Sequence, residues 1–251
     1  ASGVEEFVSW DELHSRQMVI IPKKNEEKVK QIPAGLKVFH DDPSAYHLTT
    51  PTGLLEYSSS GMEVFMPYDT ERPPVPHWIE KGPAHDERQG GDRSKLYPLL
   101  IVSNHGRWRM HAQCDDMIWN REFETMKITG PDGYAYEPCW LNPEEAEKRG
   151  IRTGDIVKVF NDRGIVLCGA YITERVIPGE CYVDHGARLD PVIPGWLDRG
   201  GAINTISPLS NTSTNATGMA TTGYLVEVSR VTDEEMAEWK REYPEAFERK
   251  Y

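Results

Sequence analysis

The pattern of apolar and polar positions changes character twice along the chain. Up to about residue 95 the apolar side chains show no sustained helical or strand period, and the longest apolar stretches, such as 18–21, are strand-sized. Within this zone Ser9 precedes Trp10–Arg16 with Glu12 at the capping-box position, which predicts a short helix. The segment 67–91 holds Pro73, Pro74, Pro76 and Pro83, excluding helix or central strand. So long a loop fits an arm that packs on a neighbour. From 96 to 230 the pattern becomes short apolar or alternating runs between turn residues, predicting strands at 98–103, 155–160, 165–172, 181–184 and 224–228. Asn142 as N-cap, Pro143 at N1, Glu145 at N3 and Gly150 past the end predict a helix over 143–149. Asn161-Asp162-Arg163-Gly164 reads as a hairpin turn with Gly164 supplying a positive φ, and Pro178-Gly179 as a second turn. Thr232 and Glu235 frame a last helix over 233–243, interrupted by Pro244, with no clear end to the tail after Glu248. The expected architecture is mainly β: an arm at 1–95, a closed barrel with short helices at 96–230, and a helix and tail at 231–251.

Composition narrows the partners. Of 251 residues, 40 are Asp or Glu and 28 Lys or Arg, a net charge of -12 that disfavours nucleic acid and anionic membranes. No run approaches the about 18 apolar residues of a membrane helix, and no basic start and apolar core of a signal peptide is visible at the N-terminus. The four cysteines, Cys114, Cys139, Cys168 and Cys181, form no CxxC pair, so they read as buried thiols, and a cytoplasmic, reducing setting is favoured; an exported parent protein stays open.

Against this acidic background the segment Ser103–Gln113 carries Arg107, Arg109, His105 and His111 and no acid. Such a loop at the end of a strand suits phosphate, which arginine forks and neutral Ser or Asn donors match. The alternative is a solvated loop whose arginines pair with Asp115 and Asp116. A metal site at His105 and His111 lacks a third ligand. The stretch from Gly200 to Val226 has no Asp, Glu, Lys, Arg or His and is rich in Gly, Ser, Thr and Asn. It reads either as a loop against a polar ligand or as a flexible linker. His185 in Val183-Asp184-His185-Gly186 is a ligand donor or a structural histidine. No GxGxxG, P-loop, GxSxG or HExxH occurs, and no catalytic set stands out.

In order, these pieces resemble the C-terminal domain of the dimethyl sulfoxide reductase family of molybdopterin enzymes. The resemblance lies in Trp140-Leu141-Asn142-Pro143-Glu144-Glu145-Ala146, in Arg149-Gly150-Ile151 followed by Gly154-Asp155 and Val157, and in Asn161 to Gly164. It continues in Pro178-Gly179, His185-Gly186, His111-Ala112-Gln113 and, upstream, Thr50-Pro51-Thr52-Gly53-Leu54-Leu55-Glu56-Tyr57. Ala112 stands where the family usually has Ser, Leu54 where Lys is frequent, and Ser207-Pro208 where an acid often follows Asn204. Within the family, Glu71 to His77 and the tail from Trp239 look most like pyrogallol hydroxytransferase large subunits.

The resemblance implies a six-stranded double-psi β-barrel, of the aspartate-decarboxylase-like kind, contacting one side of a bis-(molybdopterin guanine dinucleotide) cofactor with molybdenum or tungsten. The metal ligand and any iron–sulfur cluster would come from other domains. It implies that Ser103, Asn104, His105, Arg107, Arg109, His111, Gln113, Asn142, His185, Gly186, Asn204 and Thr221 line the cofactor, with Arg107 or Arg109 on a phosphate and Asn142, His185 and Asn204 on pterin or guanine. The expected partners are the N-terminal domains of a longer catalytic subunit and an iron–sulfur electron-transfer subunit. The chain alone is expected to be inactive and to bind the cofactor weakly or not at all. The alternative from another class is a free-standing secreted β-domain binding carbohydrate or protein, with glycans at Asn211 and Asn215, where Asn-x-Ser/Thr triplets occur.

Overall fold

A computed structural model describes residues 7–20, 35–78, 87–211 and 223–249. The chain divides into two compact units, 1–67 and 68–251. In the first unit three short helices occur among the described residues, Trp10–Arg16, Lys37–Asp41 and Ser60–Phe65. Ser9 Oγ accepts from Glu12 N at 3.3 Å, as the capping pattern predicts. None of these helices buries a side chain, and Val8 is the one buried residue among those described in this unit. Trp10, Met18, Ile20, Tyr57, Val64 and Phe65 are all at least 70% exposed.

The second unit is built on β1 (Leu99–Val102), β2 (Ile128–Thr129), β3 (Ala135–Leu141), β4 (Ile156–Asn161), β5 (Gly164–Ile172), β6 (Glu180–Val183), β7 (Pro191–Ile193), β8 (Leu197–Asp198) and β9 (Leu225–Arg230). The order β3-β6-β1-β9-β4-β5, with β5 pairing back onto β3, closes a six-stranded ring, the double-psi barrel. Two pairings in the ring are parallel, β1 with β6 and β3 with β5. The other four are antiparallel. Alternate residues point inward: Leu99 and Ile101, Cys139 and Leu141, Val157 and Val159, Cys181 and Val183, Val226 and Val228 fill the barrel. Full burial of one such aliphatic side chain stabilises by about 1.5–3 kcal/mol. Cys114 is exposed, against expectation, while Cys139, Cys168 and Cys181 are buried free thiols.

Strand directions sort the loops between the two ends of the barrel. One end gathers the C-termini of β1, β4 and β6 and the N-termini of β3, β5 and β9, hence the segments 103–134, 184–211 and the 161–164 turn. The opposite end carries the helix Pro143–Arg149 and the 173–179 loop.

The hairpin turn forms where expected, with Asn161 facing Gly164. The reason for the glycine differs, however, because Gly164 is not among the positive-φ residues. A Cβ there would meet Trp196 O at 2.8 Å and Thr205 O at 3.0 Å, so close approach requires it. The sequence reading also lacked β3. Glu137 and Pro138 interrupt its apolar run, and proline is normally confined to edge strands, yet β3 pairs on both sides.

Residues 87–95, expected in the arm, are fastened to the barrel. Glu87 accepts from Arg163 Nη1 at 2.6 Å and Leu225 N at 2.8 Å, and Gln89 Nε2 donates to Gly179 O at 2.5 Å. At the other terminus Thr232 and Glu235 form both bonds of a capping box on the helix Asp233–Glu242. Pro244 then opens a further short helix, Pro244–Glu248, instead of a loose tail. Arg249 Nε reaches Asp190 Oδ1 at 2.9 Å, and Arg199 donates to Asp190 Oδ2 at 2.8 Å.

Candidate functional site

The parallel pairing of β1 and β6 continues beyond the strand ends as a bridge between His105 and His185, and His185 N donates to Asn104 O at 2.8 Å. Two loops far apart in sequence therefore lie side by side. Further along the first of them residues 110–113 fold into a tight turn, Met110 and Gln113 exchanging backbone hydrogen bonds at 2.9 and 3.2 Å. His111 at its tip has φ 52° and Cys114 φ 67°, left-handed conformations that non-glycine residues adopt at an energetic cost. Gly186 has φ 95°, and a Cβ there would lie 2.4 Å from His111 O, so only glycine lets the two loops touch.

The outcome is a cluster of three imidazoles. Ring centroids are 4.6 Å apart for His105 and His111, 5.1 Å for His105 and His185, and 5.2 Å for His111 and His185. His111 Nδ1 and His185 Nε2 are 3.1 Å apart, a distance that needs a hydrogen on one nitrogen and a lone pair on the other. Burial lowers the pKa of His185, and His105, His111 and Arg109 push it the same way. His185 was the third imidazole that the sequence did not connect to the loop. No group of three or more side chains placed to hold a metal ion occurs among the described residues.

Arg109 does not face a ligand. Its guanidinium donates to Glu137 at 2.6 and 2.8 Å and to Asp115 at 3.0 Å, and Lys127 Nζ reaches Glu137 at 2.8 Å. The side chains of Arg109, Glu137, Asp115 and Lys127 are 5% exposed or less. Burial opposes the charge on Arg109, and Glu137 outweighs it, raising the pKa. For Asp115 burial acts upward, and Lys127 and Arg109 outweigh it, lowering the pKa. Arg109 also donates to His185 O at 3.3 Å, tying the histidine loop to the barrel wall. Pairing with a nearby acid, the alternative left open by the sequence, therefore describes Arg109, and Arg107 differs from it. That residue is exposed, lies over the Trp108 ring at 5.1 Å, and has no ion pair among the described residues. Trp108 in turn stacks on Phe123 at 4.3 Å and donates to Thr125 at 2.9 Å.

The other expected residues separate. Asn104, His105, His111 and Gln113 are exposed at the histidine rim, and Ser103 is half-buried there. Asn204 is exposed in a turn, Ile203–Thr205, of the 184–211 segment, which springs from the same end of the barrel. Thr221 and Asn215 lie outside the described residues, and Asn211 is exposed. Asn142 does not share the rim. It sits at the opposite end of the barrel, where Oδ1 accepts from Glu144 N at 2.9 Å and Nδ2 donates to Val176 O at 2.8 Å. The antiparallel run of β3 against β6 is the reason: it pairs Leu141 with Cys181, far from His185.

A larger concavity of 930 Å³ lies between the 116–134 segment and the last helices. Asp116, Glu122, Glu124 and Asp132 line it together with Arg121, Lys127, Arg199, Lys240 and Arg249, and no histidine of the cluster contributes.

Residues 101–222 match the family described as molydopterin dinucleotide binding domain. A dimethyl sulfoxide/trimethylamine N-oxide reductase of Cereibacter sphaeroides is 37% identical over 195 residues, 76% of this chain and 22% of that protein. The pyrogallol hydroxytransferase large subunit of Pelobacter acidigallici is 28% identical over 248 residues, covering 92% of this chain and 28% of that one. The chain thus spans 22% and 28% of the length of these two relatives. Acetylene hydratase from Pelobacter acetylenicus shares the fold, with a TM-score of 0.54, 16% identity, and coverage of 76% of this chain and 25% of that one. The barrel and rim segments at 101–222 therefore form a molydopterin dinucleotide binding domain.

Proposed function

We propose that this chain is the cofactor-holding part of a longer molybdopterin enzyme and is not catalytic alone. The observation that carries this is the rim: His105, His111 and His185 cluster at one barrel end, with the exposed Arg107 on the same loop, in a chain of net charge -12. Imidazole and guanidinium N–H groups, with Asn104 and Gln113 beside them, suit the diphosphate and polar ring edges of a dinucleotide. The group that fits is bis-(molybdopterin guanine dinucleotide) with molybdenum or tungsten, which supplies the redox chemistry when bound. This chain's residues orient it: Arg107 and the imidazoles set the anionic part, and Arg109, through His185 O, keeps the rim in place.

The remaining domains of the longer enzyme pack on the exposed apolar side chains of the first unit, and an iron–sulfur subunit is a further partner of the assembled enzyme. Among the described residues no helix is long and apolar enough to cross a membrane.

The test is the molybdenum and guanine nucleotide content of the longer holoenzyme carrying Arg107→Ala. Arg109 stays untouched, because its loss would damage the barrel. We expect both contents to fall together; unchanged contents in a folded variant would overturn the phosphate role.

A further inference from the structure

Five residues bridge the buried Arg109 and Asp115 at the histidine rim. Arg109 Nη1 donates to Asp115 Oδ1 at 3.0 Å, so the two ends of the segment are stapled to each other and, through Glu137 and Lys127, to the barrel wall. Between them Met110, His111, Ala112, Gln113 and Cys114 are all exposed. Met110 and Gln113 make their backbone hydrogen bonds with each other. His111 and Cys114 have positive φ, a cost that some contact must offset. Outward from the segment, the His111 carbonyl packs on Gly186, where a Cβ would lie at 2.4 Å, and His111 Nδ1 meets His185 Nε2 at 3.1 Å. The His185 side of this contact is fixed independently. His185 N donates to Asn104 O at 2.8 Å, and Arg109 donates to His185 O at 3.3 Å.

We propose that residues 110–114 are a proton-released flap, closed while one hydrogen lies between His111 Nδ1 and His185 Nε2 and open once both nitrogens carry one. The neutral pair and the singly protonated pair each keep one N–H and one lone pair between the rings, so the bond survives the first proton. The second proton sets two N–H groups face to face at 3.1 Å, with both rings cationic. His105, with ring centroids 4.6 and 5.1 Å from those of His111 and His185, adds a third charge when it protonates. Arg109 behind His185 and Arg107 on the His105 loop are permanent cations that oppose the second proton as well. The nearby carboxylates are engaged elsewhere. Asp184 lies against Gly106 and accepts from Tyr182 Oη, Glu137 and Asp115 hold Arg109 and Lys127, and Asp116 pairs with Arg188 at 3.3 Å. Burial, then His105, His111 and Arg109, lower the pKa of His185, in keeping with a pair that takes its second proton late. Opening frees the rings toward the ordinary histidine value near 6.5, so it takes up protons, and a pH falling below that value drives it. The device needs these contacts alone, whatever the rim binds.

The test follows backbone amide order parameters of the full chain at about pH 7.5 and about pH 5, in the wild type, His185→Gln and His185→Ala. In the wild type we expect 110–114 to lie near the rigid value of about 0.85 at the higher pH and below about 0.6 at the lower one, while Arg109, Asp115 and 184–186 stay rigid at both. A glutamine amide does not titrate, and its oxygen accepts from a protonated His111, so His185→Gln should keep the flap ordered throughout. His185→Ala removes the bond and should leave the flap mobile at both pH values. A wild-type flap that stays ordered in acid overturns the proposal, as does a His185→Gln flap that loosens with it or a His185→Ala flap that stays ordered. Loosening of 184–186 together with 110–114 overturns it too, because acid would then be loosening the whole rim and not the flap.

Discussion

At the scale of residues, four buried charges decide how the rim is held. Arg109 and Lys127 face Glu137 and Asp115 with little exposure, and removing one member strands its partners. Arg109→Ala should destabilise the second unit by about 3–5 kcal/mol, the cost of breaking a buried ion pair from one side. Urea denaturation measures it, and a loss under 1 kcal/mol would show that water replaces the guanidinium. Acid titration probes the cluster next door. His185 has its folded pKa below the usual value near 6.5, so the folded state binds fewer protons than the unfolded one in that interval. The stability associated with neutral His185 is present above about pH 6.5 and is lost as the pH falls through the lowered folded value. Denaturation midpoints between pH 7.5 and 5 should fall more steeply in the wild type than in His185→Gln; parallel slopes would contradict the assignment.

At the scale of elements, the backbone explains which parts could be read from the chain. Short strands bounded by turn chemistry, the Asn142 and Thr232 caps and the 161–164 turn form where local rules place them. β3 escaped because its buried Glu137 is balanced by Arg109 and Lys127 from outside the strand, a compensation invisible to a local pattern. The histidine cluster escaped for a related reason: His111 and His185 meet only through the β1–β6 pairing. Asn142 was placed on the wrong end because strand direction, not motif order, assigns loops to ends. Gly186→Ala tests the contact between loops. A methyl against the His111 carbonyl, added to a positive φ, should cost about 1–3 kcal/mol and separate the imidazoles. The drop in melting temperature and a changed set of His Cε1 proton shifts would report it, while unchanged shifts would show that the cluster tolerates the gap.

At the scale of the whole molecule, the two units differ in how much they bury. Among its described residues the first leaves most large apolar side chains exposed, while the barrel has a continuous apolar interior. Amide exchange of the chain alone should be fast over 36–66 and slow in β1, β3, β5, β6 and β9. Strong protection over 36–66 would remove the case that this unit awaits a neighbour.

The ring closure has a consequence for synthesis. β1, at residues 99–102, has β6 and β9 as its neighbours, and β9 spans residues 225–230 near the far end of the chain. A polypeptide emerging from a ribosome N-terminus first therefore holds β1 and β4 as open edges until the last strand leaves the exit tunnel. Throughout that interval the cylinder is a partial sheet, with the histidine loops attached and the seam still ajar. Emergence of β9, rather than the making of any single loop, is the moment at which the site acquires its shape.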